Sequence, residues 1–218
     1  SKAKRVLDNL TFAVERGETY GFLGPSGAGK TTTIKLLTRQ LARDGGRIQL
    51  FGRPIENASE ADYDRIGILS DTSALYDRMS IAENLALHAK LRGVPAKNAD
   101  ALLERTGLAK DKKTLIKNCS KGMRQRAALI RTLALEPELL LLDEPFSALD
   151  YQTRLTVCDD ISTIIRESRK TAILITHDLS EAVSAADRIL VLTKRPGTIC
   201  RIPVSYTHLR AHETRHDL

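Results

Sequence analysis

The stretch ETYGFLGPSGAGKTTTIKLL, Glu18–Leu37, decides the fold. An apolar β-type run at Thr19–Leu23 is followed by a glycine-rich turn and then by a helical pattern. Gly24–Thr31 fits G-x-x-x-x-G-K-[ST] with a strand before it and a helix after it, which is the context the motif requires. Gly24, Gly27 and Gly29, interleaved with Pro25, Ser26 and Ala28, let backbone N–H groups curl around a phosphate that bulkier side chains would obstruct. Lys30 supplies a point charge for β- and γ-phosphates, and Thr31 a hydroxyl for Mg²⁺. Thr32, next along the helix, joins the nucleotide-binding set. The loop by itself announces a bound nucleotide, not what is done with it.

A second run, LLLLDEPFSALD at 139–150, supplies what a phosphate loop needs. Four leucines make a buried parallel strand, and Pro145 ends it. Asp143 then projects at the carboxyl edge of the sheet, where ligands of α/β proteins bind, and is the natural partner of Mg²⁺. Glu144 beside it is placed to orient an attacking water. ILITHD at 173–178 repeats the strand-edge arrangement with His177 at the tip; a lone histidine is more often structural than catalytic, so its weight comes from its company.

Between these motifs, short apolar runs alternate with longer helical ones, the pattern of an α/β domain. Strands are expected at Thr19–Leu23, Arg47–Phe51, Ile66–Leu69, Leu139–Leu142, Thr171–Ile175 and Arg188–Leu192, with long helices after Gly29, Asp150 and His177. Ser80 with Glu83, and Asp178 with Glu181, have capping-box spacing. From about Tyr76 to Thr132 the pattern is helical without a convincing strand, which reads as a helical subdomain inserted into the α/β core. The 218 residues, 42% hydrophobic, suffice for one large domain with such an insert. The net charge of +7 is compatible with nucleic acid or an anionic surface. No aromatic-studded basic stripe supports nucleic-acid binding, so surplus Lys and Arg in a phosphate-handling protein is the preferred reading. Cys119, Cys158 and Cys200 have no CxxC spacing and read as reduced thiols. No run approaches the ~18 apolar residues of a membrane span, so membrane work is expected from the cytoplasmic face through a partner.

KNCSKGMRQR at 117–126 is a second anion-ready turn. It carries Lys117, Lys121, Arg124 and Arg126, with Ser120 and Gly122 at the start of the helical run AALIRTLAL. A hydroxyl, a flexible backbone and a helix amino end all favour an anion, although an ordinary N-capped helix has the same appearance.

Taken in order, these motifs resemble the ATP-binding subunit of an ABC transporter over nearly all of Arg5–Pro203. GPSGAGKT looks like Walker A, LLLLDE like Walker B, SALD with Asp150 like the D-loop, and His177 like the switch histidine; CSKGM stands where the signature sequence L-S-G-G-Q is usual. The resemblance implies a P-loop NTPase core with an inserted helical subdomain, ATP hydrolysis with Mg²⁺, and a separate integral membrane permease. It also implies a head-to-tail dimer in which Ser120 and Gly122 of one ATPase subunit face the ATP held by Walker A of the other. Glu144 and His177 would be catalytic; Thr31 and Asp143 would hold the metal. No nucleic-acid partner is expected. Competing readings are a soluble ABC-type ATPase acting on nucleic acid or translation, and a nucleotide-binding module without turnover.

The chain departs from the family pattern in places. Lys121 and Met123 replace the usual glycine and glutamine. Asp71 stands where a Q-loop glutamine is expected; its carboxylate could reach Mg²⁺ through water. The family's adenine-stacking aromatic, ahead of the first strand, has no counterpart in these residues, and Phe12 reads as core. YDRIGILSDTSALYDRMSIAENL resembles ABC-2-type exporters, whereas EPFSALDYQTRLTVCDDI and ITHDLSEAVSAADRILVLTKRPGTI resemble nitrate, sulfonate and taurine importers. A seam within Ser120–Glu138 joining two sources, or one divergent lineage, accounts for both. Val204–Leu218 has three of the five histidines and no apolar period. It reads as a translated transposon-end sequencing adapter, a non-native tail outside the 1–203 domain.

Overall fold

The computed structural model describes residues 5–70, 75–93, 98–147 and 149–201; Asp71 and the Val204–Leu218 tail lie outside the described residues. In chain order the elements are β1 (Thr19–Leu23), α1 (Lys30–Leu37), β2 (Gln49–Leu50), β3 (Arg53–Pro54), α2 (Glu60–Asp64), β4 (Ile66–Ser70), α3 (Ile81–Leu91), α4 (Ala99–Arg105) and α5 (Lys121–Leu133). They continue with β5 (Leu139–Asp143), α6 (Tyr151–Glu167), β6 (Thr171–Thr176), α7 (Leu179–Ala185), β7 (Arg188–Leu192) and β8 (Ile199–Arg201). Six strands form one sheet in the order β4-β5-β6-β1-β7-β8, parallel except for the β7–β8 pair.

The sheet is buried on both faces, and the leucine run shows how. Leu140 and Leu142 pack with Leu129, Leu133 and Ile161 on one side, while Leu139 and Leu141 pack with Ile34 and Leu37 on the other. Period-two alternation therefore sends successive residues into two different apolar layers, so both must be hydrophobic. Each leucine so buried is worth about 2 kcal/mol of apolar transfer.

The expected strand at Arg47–Phe51 is cut to Gln49–Leu50 and lies outside the main sheet, paired antiparallel with β3. Phe51 (φ 51°) and Gly52 (φ 77°) both adopt left-handed conformations, as a two-residue hairpin turn requires, and the turn ends the strand. Between β4 and β5 the described residues form α3, α4, a short 3₁₀ turn at Ile116–Asn118 and α5, with α5 packed against α3 and α4. The Ser80–Glu83 capping box is complete. Ser80 Oγ accepts from Glu83 N at 3.2 Å, and Glu83 Oε2 accepts from Ser80 N at 2.6 Å. Phe12 packs on Tyr20 and Phe22, with ring centroids 5.9 and 4.9 Å away, as a core residue.

Candidate nucleotide site

Parallel register assembles the site. Leu23 pairs with Thr176 and Asp143 with Ile175, so Gly24, Glu144 and His177 leave three adjacent strands at one edge of the sheet. The glycine turn closes tightly over that edge: Ala28 N donates to Pro25 O at 3.1 Å, and Gly27 (φ 78°) and Gly29 (φ 99°) are left-handed. A Cβ on Gly29 would lie 2.3 Å from Leu7 Cδ2, so only glycine fits there. Lys30, 7% exposed, donates to Gly24 O at 2.6 Å and Pro25 O at 3.3 Å, with its charge 3.8 Å from Glu144 Oε1.

Within the site, Glu144 is the non-glycine residue with a left-handed backbone. Its φ of 49° is left-handed, unfavourable for a side chain other than glycine. The backbone is held there by Glu144 N donating to Ile175 O at 2.9 Å and by Ser147 Oγ donating to Glu144 O at 3.0 Å. The turn aims the carboxylate back over the phosphate loop, where Oε2 lies 2.7 Å from His177 Nδ1. Asp143 Oδ1 faces Thr31 Oγ1 at 3.4 Å. A hydroxyl and a carboxylate oxygen so placed suit Mg²⁺, which takes one or two protein oxygens and completes its shell with phosphate and water. Among the described residues no cluster of three or more His, Cys, Asp or Glu could hold a metal by itself.

A cavity of about 240 Å³ gathers Ser26, Gly27, Gly29, Lys30, Thr31, Thr32 and Glu144, together with Val6 and Arg195. Gly24, Pro25 and Ala28 form the turn beneath it, and Asp143 and His177 join through Thr31 and Glu144. Ser120, Gly122 and Asp150 are not among the residues lining this cavity. Instead they sit together at two adjoining helix amino ends. Ser120 Oγ caps α5 by accepting from Met123 N at 3.2 Å, and Asp150 caps α6 by accepting from Thr153 N at 3.1 Å. A Cβ on Gly122 would lie 2.7 Å from Thr153 Cγ2, so that glycine seats α5 on α6. The Thr153 N–H holds the Asp150 carboxyl below the usual carboxylate range.

The expected Asp178–Glu181 capping box is only half formed, and the reason exposes residues the motif reading missed. Asp178 Oδ1 accepts from Ser180 N at 2.7 Å and more weakly from Glu181 N at 3.4 Å. The Asp178 N–H that Glu181 should have taken goes to Thr176 Oγ1 at 3.0 Å, and Thr176 in turn donates to Glu181. Glu181 is thus buried behind His177, and burial pushes its carboxyl up, opposed by the Thr176 hydroxyl and Arg154. Arg154 on α6 donates to Leu149 O at 2.9 Å and to Asp178 Oδ2 at 3.3 Å, with Glu181 Oε1 3.6 Å away. It ties the turn after Glu144 to the turn that carries His177. In the sequence Arg154 looks like any charge on a solvated helix.

The family model for ABC transporters matches residues 7–147. An uncharacterized ABC transporter ATP-binding protein of Bacillus subtilis, YtlC, is 41% identical over 198 residues, covering 89% of this chain and 75% of that protein. The aliphatic sulfonates import ATP-binding protein SsuB of Bacillus licheniformis is 40% identical over 202 residues, 91% of this chain and 77% of its own. The daunorubicin resistance ATP-binding protein DrrA3 of Streptomyces coeruleorubidus is 39% identical over 193 residues, 87% of this chain and 61% of its own. With a phosphate loop, a strand-edge Asp-Glu pair and a facing histidine assembled in the matched fold, the chain belongs to the ABC transporter family as an ATP-binding ATPase subunit.

Proposed function

We propose that this chain hydrolyses ATP in a site completed by a second copy, and so drives a separate membrane permease from its cytoplasmic face. Among the described residues no helix is long and apolar enough to cross a membrane, and the ABC family supports a permease partner. The observation that carries the catalytic reading is Glu144, aimed over the phosphate loop between Lys30 and His177.

The backbone N–H groups of Gly27 and Gly29 and the Lys30 ammonium bind the polyphosphate, drawing Lys30 off the Gly24 and Pro25 carbonyls. Thr31 and Asp143 would hold Mg²⁺, which would supply neutralisation of phosphate charge when bound. Glu144 orients the attacking water and accepts its proton; His177, through the Glu144 contact, fixes the carboxylate and offers a donor to the departing phosphoryl oxygens. Positioning and electrostatics then account for the rate. Ser120 and Gly122, with the amino end of α5, face the γ-phosphate of the opposite copy, and Asp150 lines the same face. This arrangement is supported by their exclusion from their own copy's cavity and by their clustering at adjoining helix ends. The helical segment 76–132 would carry that surface as a subdomain. Phosphate release from Mg-ATP by the purified protein tests the reading: turnover lost in Lys30→Ala is expected, and equal turnover in that variant would overturn it.

A further inference from the structure

One residue at the nucleotide cavity comes from neither the phosphate loop nor the strand edge. Arg195 lies on the turn between β7 and β8, and with Lys30 it is one of two cations lining the cavity. The turn is braced internally: Thr193 N donates to Thr198 O at 3.0 Å, and Thr198 N donates to Thr193 Oγ1 at 3.0 Å. It is also seated directly on the loop. Gly197 N donates to Val6 O at 2.8 Å, Asp8 N donates to Gly197 O at 2.9 Å, and a Cβ on Gly197 would lie 2.1 Å from Ala28 O. A side chain at 197 would force the turn and the loop apart.

Arg65, Arg92, Arg124, Arg154 and Arg188 each meet a carboxylate within 3.3 Å. Arg195, exposed, has no hydrogen-bond or ion-pair partner among the described residues, as is true also of Arg47, Arg78 and Arg166; what sets it apart is its place on the wall of the phosphate cavity. A guanidinium on the wall of a phosphate cradle, with no carboxylate holding it elsewhere, is free to pair with an anionic ligand. Its position picks out the phosphate. Lys30 lies 3.8 Å from Glu144, whereas Arg195 forms no ion pair with that carboxylate among the described residues and shares its turn with the Gly197 N–Val6 O hydrogen bond, so it is assigned to a phosphate other than the one Glu144 faces.

We propose that Arg195 is a nucleotide-binding residue that pairs with the α-phosphate of ATP and of the ADP product. This rests on the reading of the cavity as the ATP site and adds a contact from the carboxyl-terminal hairpin. Because both nucleotides carry an α-phosphate, the contact strengthens substrate and product alike and does not belong to the chemical step.

Calorimetric titration of ATP and ADP into the parent protein, Arg195→Ala, Arg195→Lys and Lys30→Ala, at about 50 mM and about 500 mM salt, is the test. Arg195→Ala should weaken both nucleotides about tenfold at low salt, the scale of one charge-assisted hydrogen bond. Arg195→Lys should recover most of that loss, and the gap should narrow at high salt. Affinities within twofold of the parent in Arg195→Ala, or a loss that lysine does not recover, overturn the proposal. If Lys30→Ala still loses binding in that case, the ATP site stands and only Arg195 falls. If Lys30→Ala also binds normally, the site reading itself fails.

Discussion

Glu144→Gln separates binding from chemistry, and the geometry sets the size of the effect. Glutamine keeps the length of the side chain and an oxygen that can accept from His177 Nδ1–H in place of the 2.7 Å contact. What it loses is basicity and the negative charge 3.8 Å from Lys30. Removing that charge leaves Lys30 more available to phosphate, so ATP affinity should hold or rise slightly. A positioned base contributes roughly 10²–10⁴-fold, which is about 3–5 kcal/mol of barrier. Phosphate release should therefore fall at least about a hundredfold, while nucleotide titration shows a dissociation constant within about threefold of the parent, under 1 kcal/mol. Turnover within tenfold of the parent would refute the assignment of Glu144 as the group that activates water. A parallel loss of ATP binding would show instead that the left-handed backbone at 144 had been disturbed.

Other consequences follow from the same contacts. Arg154→Ala should lower the turnover number while leaving ATP affinity unchanged, because it frees the His177 turn from the turn after Glu144. It should also lower stability by about 2 kcal/mol, since Glu181 keeps only its Thr176 partner, or about 4–8 °C in a thermal melt; an unchanged melt with unchanged turnover would refute the bridge. Gly122→Ala should destabilise by about 1–3 kcal/mol through overpacking against Thr153, and Thr153→Ser, which removes Cγ2, should restore the melting temperature in the double variant. Ser80→Ala should cost about 1 kcal/mol as a lost N-cap. The Ser80 N–H and hydroxyl hold the Glu83 carboxyl below its usual range. That stabilisation is present above the unfolded value of about 4.3 and is lost as pH falls through the lower folded value. Melts of Glu83→Ala and the parent should thus converge in acid and separate towards neutrality.

The strands that build the site are legible because their chemistry is redundant: β1, β5 and β6 are largely apolar on both faces, and each is followed directly by a residue type that phosphate chemistry requires, Gly24, Glu144 and His177. β2 is shorter than the run around it suggests because Phe51 turns left-handed, which its residue type does not announce, and β3 and β8 are too short to show a period. Ser120 and Asp150 are legible from residue type only as helix caps, and the seating of Gly122 on Thr153 depends on the packing of α5 on α6, which no local pattern shows. Arg154 and Arg195 were illegible for a different reason. Arg154 matters for the distant turn it meets and Arg195 for the cavity its turn is seated on, and a charged residue at a helix start or in a loop has no period to betray either.

A site shared between two copies makes the mass of the protein in solution depend on ATP. Sedimentation of the Glu144→Gln variant, which should hold ATP without consuming it, is predicted to show a monomer without nucleotide and a dimer with saturating Mg-ATP. Adding Ser120→Arg should block the dimer while the monomer still binds ATP. A mass that ATP does not change, or a dimer that forms equally well with Ser120→Arg, would contradict a site built from two copies.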